Sequence, residues 1–153
     1  MVPTEFPESP RAAAPALAGS REAAAPDSPP VLIVDDDSAA AVATQRTLAA
    51  GGYAVAAEPV GDAVLRLVRA SLVRLVVAEL YIPCAEGPCV VAAIKGDRTR
   101  LPRLRVLVYT RHAAPADLAW ALGAGADAVV PKPARDDVLL REVGRLLDGV
   151  PAA

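Results

Sequence analysis

The chain has 153 residues, a hydrophobic content of 54%, and 16 lysine and arginine residues against 18 aspartate and glutamate residues, which gives a formal net charge of −2. This length fits one domain with enough apolar side chains for a core. The balanced charge argues against nucleic acid or an anionic membrane as a partner, and no apolar run approaches the roughly 18 residues of a membrane-spanning helix. We therefore expect a cytoplasmic protein.

Residues 1–30 differ in composition from the rest of the chain. They combine many prolines with alanine, serine and glycine, and they contain almost no large apolar residues. Proline removes backbone hydrogen-bond donors and interrupts helices, so a packed element is not expected here. We predict a disordered tail over residues 1–30 and a folded domain over residues 31–150.

From Val31 onward, short apolar runs alternate with stretches of helical periodicity. This alternation is typical of repeated strand–helix units around a parallel sheet, which is an α/β fold. The predicted strands cover residues 31–35, 53–58, 74–79, 106–110 and 127–130. The predicted helices begin near residues 38, 60, 90, 115 and 135. In the second helix we expect Val64, Leu67 and Val68 to face inward, and in the last helix Leu139, Val143, Leu146 and Leu147 lie on one face at helical spacing. Ser38 is the expected N-cap of the first helix.

Polar side chains stand at the ends of four predicted strands. They are Asp35 and Asp36 at the end of the first strand, Glu79 at the end of the third, Thr110 at the end of the fourth and Lys132 after the fifth. The carboxyl ends of parallel strands meet at one edge of the sheet, where ligands bind. Adjacent carboxylates repel each other unless a cation lies between them, and hard oxygen ligands suit Mg²⁺. We therefore predict a weak magnesium site formed by Asp35, Asp36 and Glu79.

Several segments of residues 31–150 resemble the receiver domain of two-component response regulators. They are VLIVDDD, LVVAELYIP with its Pro83 and the following Gly87, LVYT, GAGAD and PKP, and their order and spacing agree as well as their residue types. The resemblance implies a flavodoxin-like (CheY-like) fold, which is a doubly wound five-stranded parallel sheet with five flanking helices. It also implies a phosphorelay site where an aspartate accepts phosphate from a histidine kinase while Mg²⁺ is bound.

The resemblance also implies a role for most of the polar residues at the sheet edge. Asp35 and Asp36 are similar in position to the family's metal-binding acidic pair, and the backbone carbonyl of Tyr81 is similar to a further metal ligand. Thr110 resembles the hydroxyl that follows the phosphoryl group, and Lys132 resembles the ammonium group that pairs with it.

Two residues depart from the family pattern. Glu79 stands at the position of the phosphate-accepting aspartate, and Val129 stands where an aromatic side chain usually rotates inward on activation. The extra methylene of Glu79 moves the carboxylate by about 1.5 Å, and a displacement near 1 Å lowers such rates on the order of 100-fold. We therefore predict a pseudo-receiver in which Glu79 imitates the activated state and phosphorylation is weak or absent.

Trp120 is the only tryptophan of the chain. Leu118 and Leu122 each lie two residues from Trp120, which at 100° per residue places both about 160° away around the helix. We expect these two leucines to face inward, so Trp120 should face outward. Tryptophan is enriched among interface anchors, and the resemblance implies that this helix belongs to a face used for dimerisation or partner binding. Trp120 is therefore a candidate contact for a protein partner or for a second copy of the chain.

The remaining polar and sulfur-bearing residues carry weaker signals. His112 is interpreted as a solvated loop residue near the site, and Cys84 and Cys89 as reduced thiols, since one histidine and two cysteines are too few for a closed zinc site. A basic run without aromatic neighbours is interpreted as a solvated connection. It contains Arg98, Arg100, Arg103 and Arg105.

The sequence leaves three functions open. The first is a single-domain signalling module that is not an enzyme, has no output domain and acts by contact with a histidine kinase or a downstream protein. The second is a conventional receiver that a histidine kinase still phosphorylates. The third is a phosphatase resembling the haloacid dehalogenases, with Asp35 and Asp37 as nucleophile and acid, although that scheme leaves Glu79 without a role.

Overall fold

The computed structural model describes residues 31–59, 61–70, 73–85, 89–97 and 101–148. The predicted tail over residues 1–30 and the predicted end of the domain at residues 149–150 lie outside these ranges. Gly87 of the resemblance and two arginines of the basic run, Arg98 and Arg100, lie outside them as well.

The described strands form one parallel sheet. They are β1 (Val31–Val34), β2 (Val55–Glu58), β3 (Leu75–Ala78), β4 (Arg105–Thr110) and β5 (Ala128–Pro131). Their order is β2-β1-β3-β4-β5, and every neighbouring pair is parallel. The chain therefore proceeds from β1 first to one side and then to the other, which leaves a crevice between the carboxyl ends of β1 and β3.

Five helices, one after each strand, are present in the described part of the chain. They are α1 (Ser38–Ala50), α2 (Gly61–Ala70), α3 (Val90–Gly96), α4 (Pro115–Ala124) and α5 (Asp136–Asp148). The predicted doubly wound α/β fold with five strands and five helices is therefore confirmed. None of the described helices has the length and apolar character needed to cross a bilayer.

Two clusters of buried apolar side chains cover the two faces of the sheet. On one face, Leu32 and Val76 pack with side chains of α2, α3 and α4. On the other face, Ile33 and Val77 pack with side chains of α1 and α5. Because successive strand residues point to opposite faces and both faces are covered, β1 and β3 read as uninterrupted apolar runs.

The predicted inward residues of the helices are partly correct. Those of α5 are all buried, namely Leu139, Val143, Leu146 and Leu147. The expectations for Leu67 and Leu122 are wrong, because these side chains are 40% and 55% exposed, while Leu65 in α2 and Ala121 in α4 are buried. The apolar arc of each of these two helices is wider than the strip that contacts the core, so periodicity alone does not identify the buried residue.

The N-cap of α1 is Asp37 and not Ser38 as the sequence suggested. The Asp37 carboxylate accepts a hydrogen bond of 3.1 Å from the backbone N–H of Ala40. Both residue types are good caps, and the position one residue earlier has the extended backbone that a cap requires. The chain therefore enters α1 directly after the two acidic residues that follow β1.

The GAGAD segment of the resemblance joins α4 to β5. Gly125 ends α4 with a φ of 119°, and a Cβ atom at this position would lie 2.8 Å from the Cβ of Lys95. Asp127 then accepts a 2.8 Å hydrogen bond from the backbone N–H of Val106 and donates its own backbone N–H to the Val106 carbonyl, also at 2.8 Å. These contacts fix the start of β5 against β4 and thereby the position of Lys132 beyond its end.

Candidate functional site

Four of the predicted residues meet at the carboxyl edge of the sheet. These residues are Asp35 after β1, Glu79 after β3, Thr110 at the end of β4 and Lys132 after β5, and we call them the sheet-edge site. Asp35 and Glu79 are each 6% exposed and Thr110 is fully buried. A buried group of two carboxylates, one ammonium and one hydroxyl requires that each charge has a partner.

The Glu79 carboxylate accepts hydrogen bonds at both oxygen atoms. Oε2 accepts from the Thr110 hydroxyl and, at 2.9 Å, from the backbone N–H of Leu80. Oε1 accepts from the Lys132 ammonium at 3.1 Å and from the backbone N–H of Arg111 at 3.4 Å. The long side chain of Glu79 therefore reaches donors supplied by the loop after β4 and by the segment after β5.

The Lys132 ammonium lies between two carboxylates. It is 2.6 Å from Oδ2 of Asp35 and 3.1 Å from Oε1 of Glu79. It also lies 5.4 Å from the centre of the Tyr109 ring, whose hydroxyl accepts a 3.2 Å hydrogen bond from the backbone N–H of Ala134. The ammonium is therefore held in place from several directions and neutralises much of the local negative charge.

Hydrogen bonds set the protonation states of the charged residues here. Burial alone would raise the pKa of Glu79, but the hydrogen bonds from Thr110, Leu80 and Lys132 outweigh it, so this pKa lies below its ordinary value. Burial would lower the pKa of Lys132, but Asp35 and Glu79 outweigh it and raise this pKa. Glu79 is therefore a carboxylate and Lys132 an ammonium at neutral pH.

The predicted magnesium ligands are only partly brought together. Asp35 is turned toward Lys132, and its Oδ1 accepts a 2.9 Å hydrogen bond from the backbone N–H of Asp37, whereas Asp36 is exposed. Among the described residues, no group of three or more His, Cys, Asp or Glu side chains is arranged to hold a metal ion. As the structure stands, the Lys132 ammonium takes the carboxylate oxygens that a cation would use. The magnesium site and the metal role of the Tyr81 carbonyl stay predictions.

A salt bridge joins the loops on either side of the sheet-edge site. The Arg111 guanidinium lies 2.9 Å from Oδ2 of Asp37. The hydrogen bond from the Ala40 N–H, followed by that from Arg111, lowers the pKa of Asp37, and Asp37 in turn raises the pKa of Arg111. Asp37 is thus occupied as a helix cap and ion-pair partner, which gives no support to the acid role assigned to it in the phosphatase hypothesis.

Three aromatic side chains lie together beside the site. The Tyr81 ring contacts the His112 ring edge-on with centroids 5.0 Å apart and the Trp120 ring at 5.7 Å. The Tyr81 hydroxyl donates a 2.6 Å hydrogen bond to Asp117, which raises the pKa of Tyr81. Trp120 is 39% exposed and Tyr81 is 43% exposed. We call Tyr81, His112 and Trp120 the aromatic cluster.

Val129 and the two cysteines occupy different surroundings from the sheet-edge site. Val129 is partly buried against the core cluster that contains Leu32. Cys89 is fully buried in that cluster and Cys84 is partly buried against it, and neither cysteine forms a disulfide. These contacts are those of small core residues.

Sequence reasoning missed three participants around Glu79. The backbone N–H groups of Leu80 and Arg111 donate to its carboxylate, and the Arg111 side chain closes the loop contact with Asp37. Arg111 directly follows Thr110 at a strand end, so its position at the same edge was available from the sequence. The ring contact of Tyr81 with His112 could not be predicted from the sequence, because it depends on how two separate loops fold.

Comparisons with known proteins agree on the nature of this domain. The family model described as "Response regulator receiver domain" matches residues 31–144. The signal receiver domain of a signal transduction histidine kinase from Syntrophus aciditrophicus is similar to this chain with 28% identity and a TM-score of 0.70, covering 82% of this chain and 95% of that chain.

Two further solved structures show a likeness of fold. A response regulator receiver domain protein (CheY-like) from Methanospirillum hungatei JF-1 has 24% identity and a TM-score of 0.69, covering 80% of this chain and 96% of that chain. A response regulator from Thermotoga maritima has 23% identity and a TM-score of 0.68, covering 79% of this chain and 98% of that chain. A search of curated proteins gives no match.

Proposed function

Because the chain belongs to the response regulator receiver domain family of two-component signalling, we propose that it is a pseudo-receiver whose Glu79 carboxylate stands in for the phosphoryl group. In this proposal the domain signals by protein contact and depends little or not at all on a histidine kinase. Its output is a contact surface, and it turns over no substrate.

The observation that carries this proposal is the hydrogen bonding of Glu79. The resemblance assigns Thr110 and Lys132 to the phosphoryl group of an activated receiver, and both donate to the Glu79 carboxylate. The backbone N–H groups of Leu80 and Arg111 complete its coordination. The Glu79 carboxylate is negatively charged and accepts hydrogen bonds from the same donors, so it resembles a bound phosphoryl group.

The same arrangement opposes phosphorylation of Glu79. Its oxygen atoms would have to give up charge-assisted hydrogen bonds before one of them attacked a phosphodonor, and each such bond contributes roughly 1.5–3 kcal/mol. The attacking oxygen would also be about 1.5 Å farther along than that of an aspartate. Phosphoryl transfer relies mostly on positioning, so both effects lower the rate.

A conventional receiver is the second candidate. Its support is that Asp35, Thr110 and Lys132 meet at the sheet-edge site as the resemblance requires. Receiver domains typically bind Mg²⁺ at their acidic phosphorylation site and interact with histidine kinases and other proteins. In this chain Asp35 and the exposed Asp36 are the residues that would hold the ion, which stabilises the charge of a transferred phosphoryl group.

We assign partner contact to the aromatic cluster and chiefly to Trp120. The Trp120 ring rests on Tyr81, two residues after Glu79, so it links the sheet-edge site to an exposed surface. Aromatic anchors of this kind dominate many interfaces. In this proposal the partner is a histidine kinase, a downstream signalling protein or a second copy of the chain. The protein itself is proposed to act in the cytoplasm.

Comparing wild type with Glu79→Asp by NMR, before and after acetyl phosphate and Mg²⁺, tests the proposal. Relative to a sample that contains Mg²⁺ alone, we expect acetyl phosphate to cause no further change in the wild-type amide signals of Thr110, Arg111 and Lys132. The shorter aspartate should accept phosphate, and its signals should then move toward those of untreated wild type. Movement of the wild-type signals on addition of acetyl phosphate would support the conventional receiver instead.

A further inference from the structure

A second charged pocket lies at the opposite end of the sheet from Glu79. It is an open cavity of about 210 Å³, and its lining residues are Arg74, Arg103, Arg105, Leu146, Leu147 and Asp148. We call it the arginine pocket. Arg74 precedes β3 and Glu79 follows it, so the two are five residues and about 16 Å apart along the strand.

The fold brings the three arginines together from two separate segments. β3 and β4 are paired in parallel with Leu75 opposite Arg105, and the backbone N–H of Arg105 donates a 2.9 Å hydrogen bond to the Arg74 carbonyl. Arg103 lies two residues before Arg105 on the approach to β4. The sequence interpretation of a solvated basic connection overlooked Arg74, which joins this group only through strand pairing.

The charges in the arginine pocket are not balanced. Three guanidinium groups face one carboxylate, that of Asp148, and within the described residues no ion pair joins Asp148 to any of them. Three like charges around one cavity repel each other unless an anion lies among them. The pocket therefore has an excess of positive charge.

Arg74 has a donor atom that lacks a partner. The Nε atom of Arg74 is buried. Among the described residues, it is the one buried side-chain nitrogen or oxygen atom that has no hydrogen-bond partner. A buried N–H without an acceptor costs the full desolvation free energy of that group, so such an atom in a native protein calls for a ligand, an ion or a water molecule. By contrast, Arg105 already donates to the Pro102 carbonyl at 3.3 Å.

We propose that the arginine pocket binds a small phosphate-bearing anion. Guanidinium groups present planar pairs of N–H donors that match phosphate oxygens, and several of them around one cavity favour a group with more than one negative charge. The cavity is smaller than the roughly 300–1,000 Å³ of pockets for drug-sized ligands. It has room for a phosphate or pyrophosphate group and a small attached moiety resting on Leu146 and Leu147 of α5.

Isothermal titration of the full chain with inorganic pyrophosphate at constant ionic strength tests this proposal. We expect saturable binding at one site. Arg74→Gln and Arg103→Gln should each weaken it about tenfold or more, since each removes a charge-assisted hydrogen bond. Asp148→Asn should strengthen binding, because it removes the one carboxylate of the pocket. The Nε–H signal of Arg74 should shift in NMR spectra as pyrophosphate is added.

Two control variants separate this site from other positive groups. Arg141→Gln removes an exposed arginine of α5 and should leave pyrophosphate affinity unchanged. Arg111→Gln removes an exposed guanidinium group beside the sheet-edge site and should also leave it unchanged. The proposal is wrong if wild type shows no saturable binding, if Arg141→Gln weakens binding as much as Arg74→Gln, or if binding is lost in Arg111→Gln while Arg74→Gln retains it.

Discussion

The hydroxyl of Thr110 donates its hydrogen bond to Oε2 of Glu79, and both groups are buried at the carboxyl edge of the sheet. Thr110 ends β4 and Glu79 follows β3, so the contact depends on the parallel pairing of these strands. It connects the acid at the phosphoacceptor position with the hydroxyl that, by resemblance, follows a phosphoryl group. The predictions for the sheet-edge site depend on this contact and on the neighbouring Lys132.

Replacing Glu79 by Gln should lower stability and change its dependence on pH. We expect the free energy of unfolding at pH 7 to fall by about 1–3 kcal/mol, because the charge-assisted contact with Lys132 is lost. The lowered pKa of Glu79 contributes stability that is present above its ordinary pKa of 4.5 and is lost as the pH falls through the folded-state pKa. Between pH 7 and pH 3, the free energy of unfolding measured in urea should therefore decrease less steeply with falling pH for Glu79→Gln than for wild type. Equal slopes would mean that Glu79 has no lowered pKa.

Replacing Lys132 by Ala should expose the charge imbalance at the sheet-edge site. Asp35 and Glu79 would then lie close together without a cation between them. In the presence of a chelator, we expect the free energy of unfolding to fall by about 3–5 kcal/mol. Mg²⁺ should restore part of this loss and raise the melting temperature of Lys132→Ala more than that of wild type. Lys95→Ala is the matched control, since Lys95 is exposed and its one hydrogen bond within the described ranges is to the Gly123 carbonyl. A response to Mg²⁺ that is the same in all three proteins would contradict the prediction.

The Lys132 contacts also predict a loss of stability at alkaline pH. The raised pKa of Lys132 contributes stability that is fully present below its ordinary pKa of 10.5 and is lost as the pH rises through the folded-state pKa. We expect Glu79→Gln to reduce this contribution, since one of the two carboxylates is neutralised. Thermal unfolding above pH 10 measures the difference, and identical profiles for wild type and variant would exclude the coupling between the two residues.

Two substitutions of Asp37 separate its structural contacts. Asp37→Ala removes the N-cap of α1 and the ion pair with Arg111, and it should measurably lower the free energy of unfolding. Asp37→Asn retains the cap and removes only the exposed ion pair, so its effect should be near zero. Chemical denaturation distinguishes the two. A large effect of Asp37→Asn would show that the contact between the loops contributes more than an ordinary surface ion pair.

The fold was largely predictable from the sequence because its signals are local and repeated. The apolar runs of β1 and β3 and the helical periodicity of α5 follow directly from burial on both sheet faces. The errors at Leu67 and Leu122 arose because helical periodicity defines an apolar arc and not the contact strip. The shift of the N-cap from Ser38 to Asp37 arose because two adjacent residues are both good caps.

The sequence predicted which residues meet at the sheet-edge site better than it predicted their hydrogen bonds and ion pairs. Strand order brings Asp35, Glu79, Thr110 and Lys132 to one edge whatever their rotamers are, so their proximity followed from topology. The position of Lys132 between two carboxylates and the exposure of Asp36 depend on side-chain torsions, which no local pattern encodes. Arg74 shows the same limit, because only strand pairing places it beside Arg105.

Intact-mass measurement of phosphate incorporation tests the central claim most directly. Wild type and Glu79→Asp are incubated with acetyl phosphate and Mg²⁺, and the acid-labile adduct is measured over time. We predict that Glu79→Asp acquires one phosphoryl group and that wild type does so on the order of 100-fold more slowly or not at all. Rapid formation of an acid-labile adduct on Glu79 of wild type would contradict the claim that this carboxylate replaces the phosphoryl group.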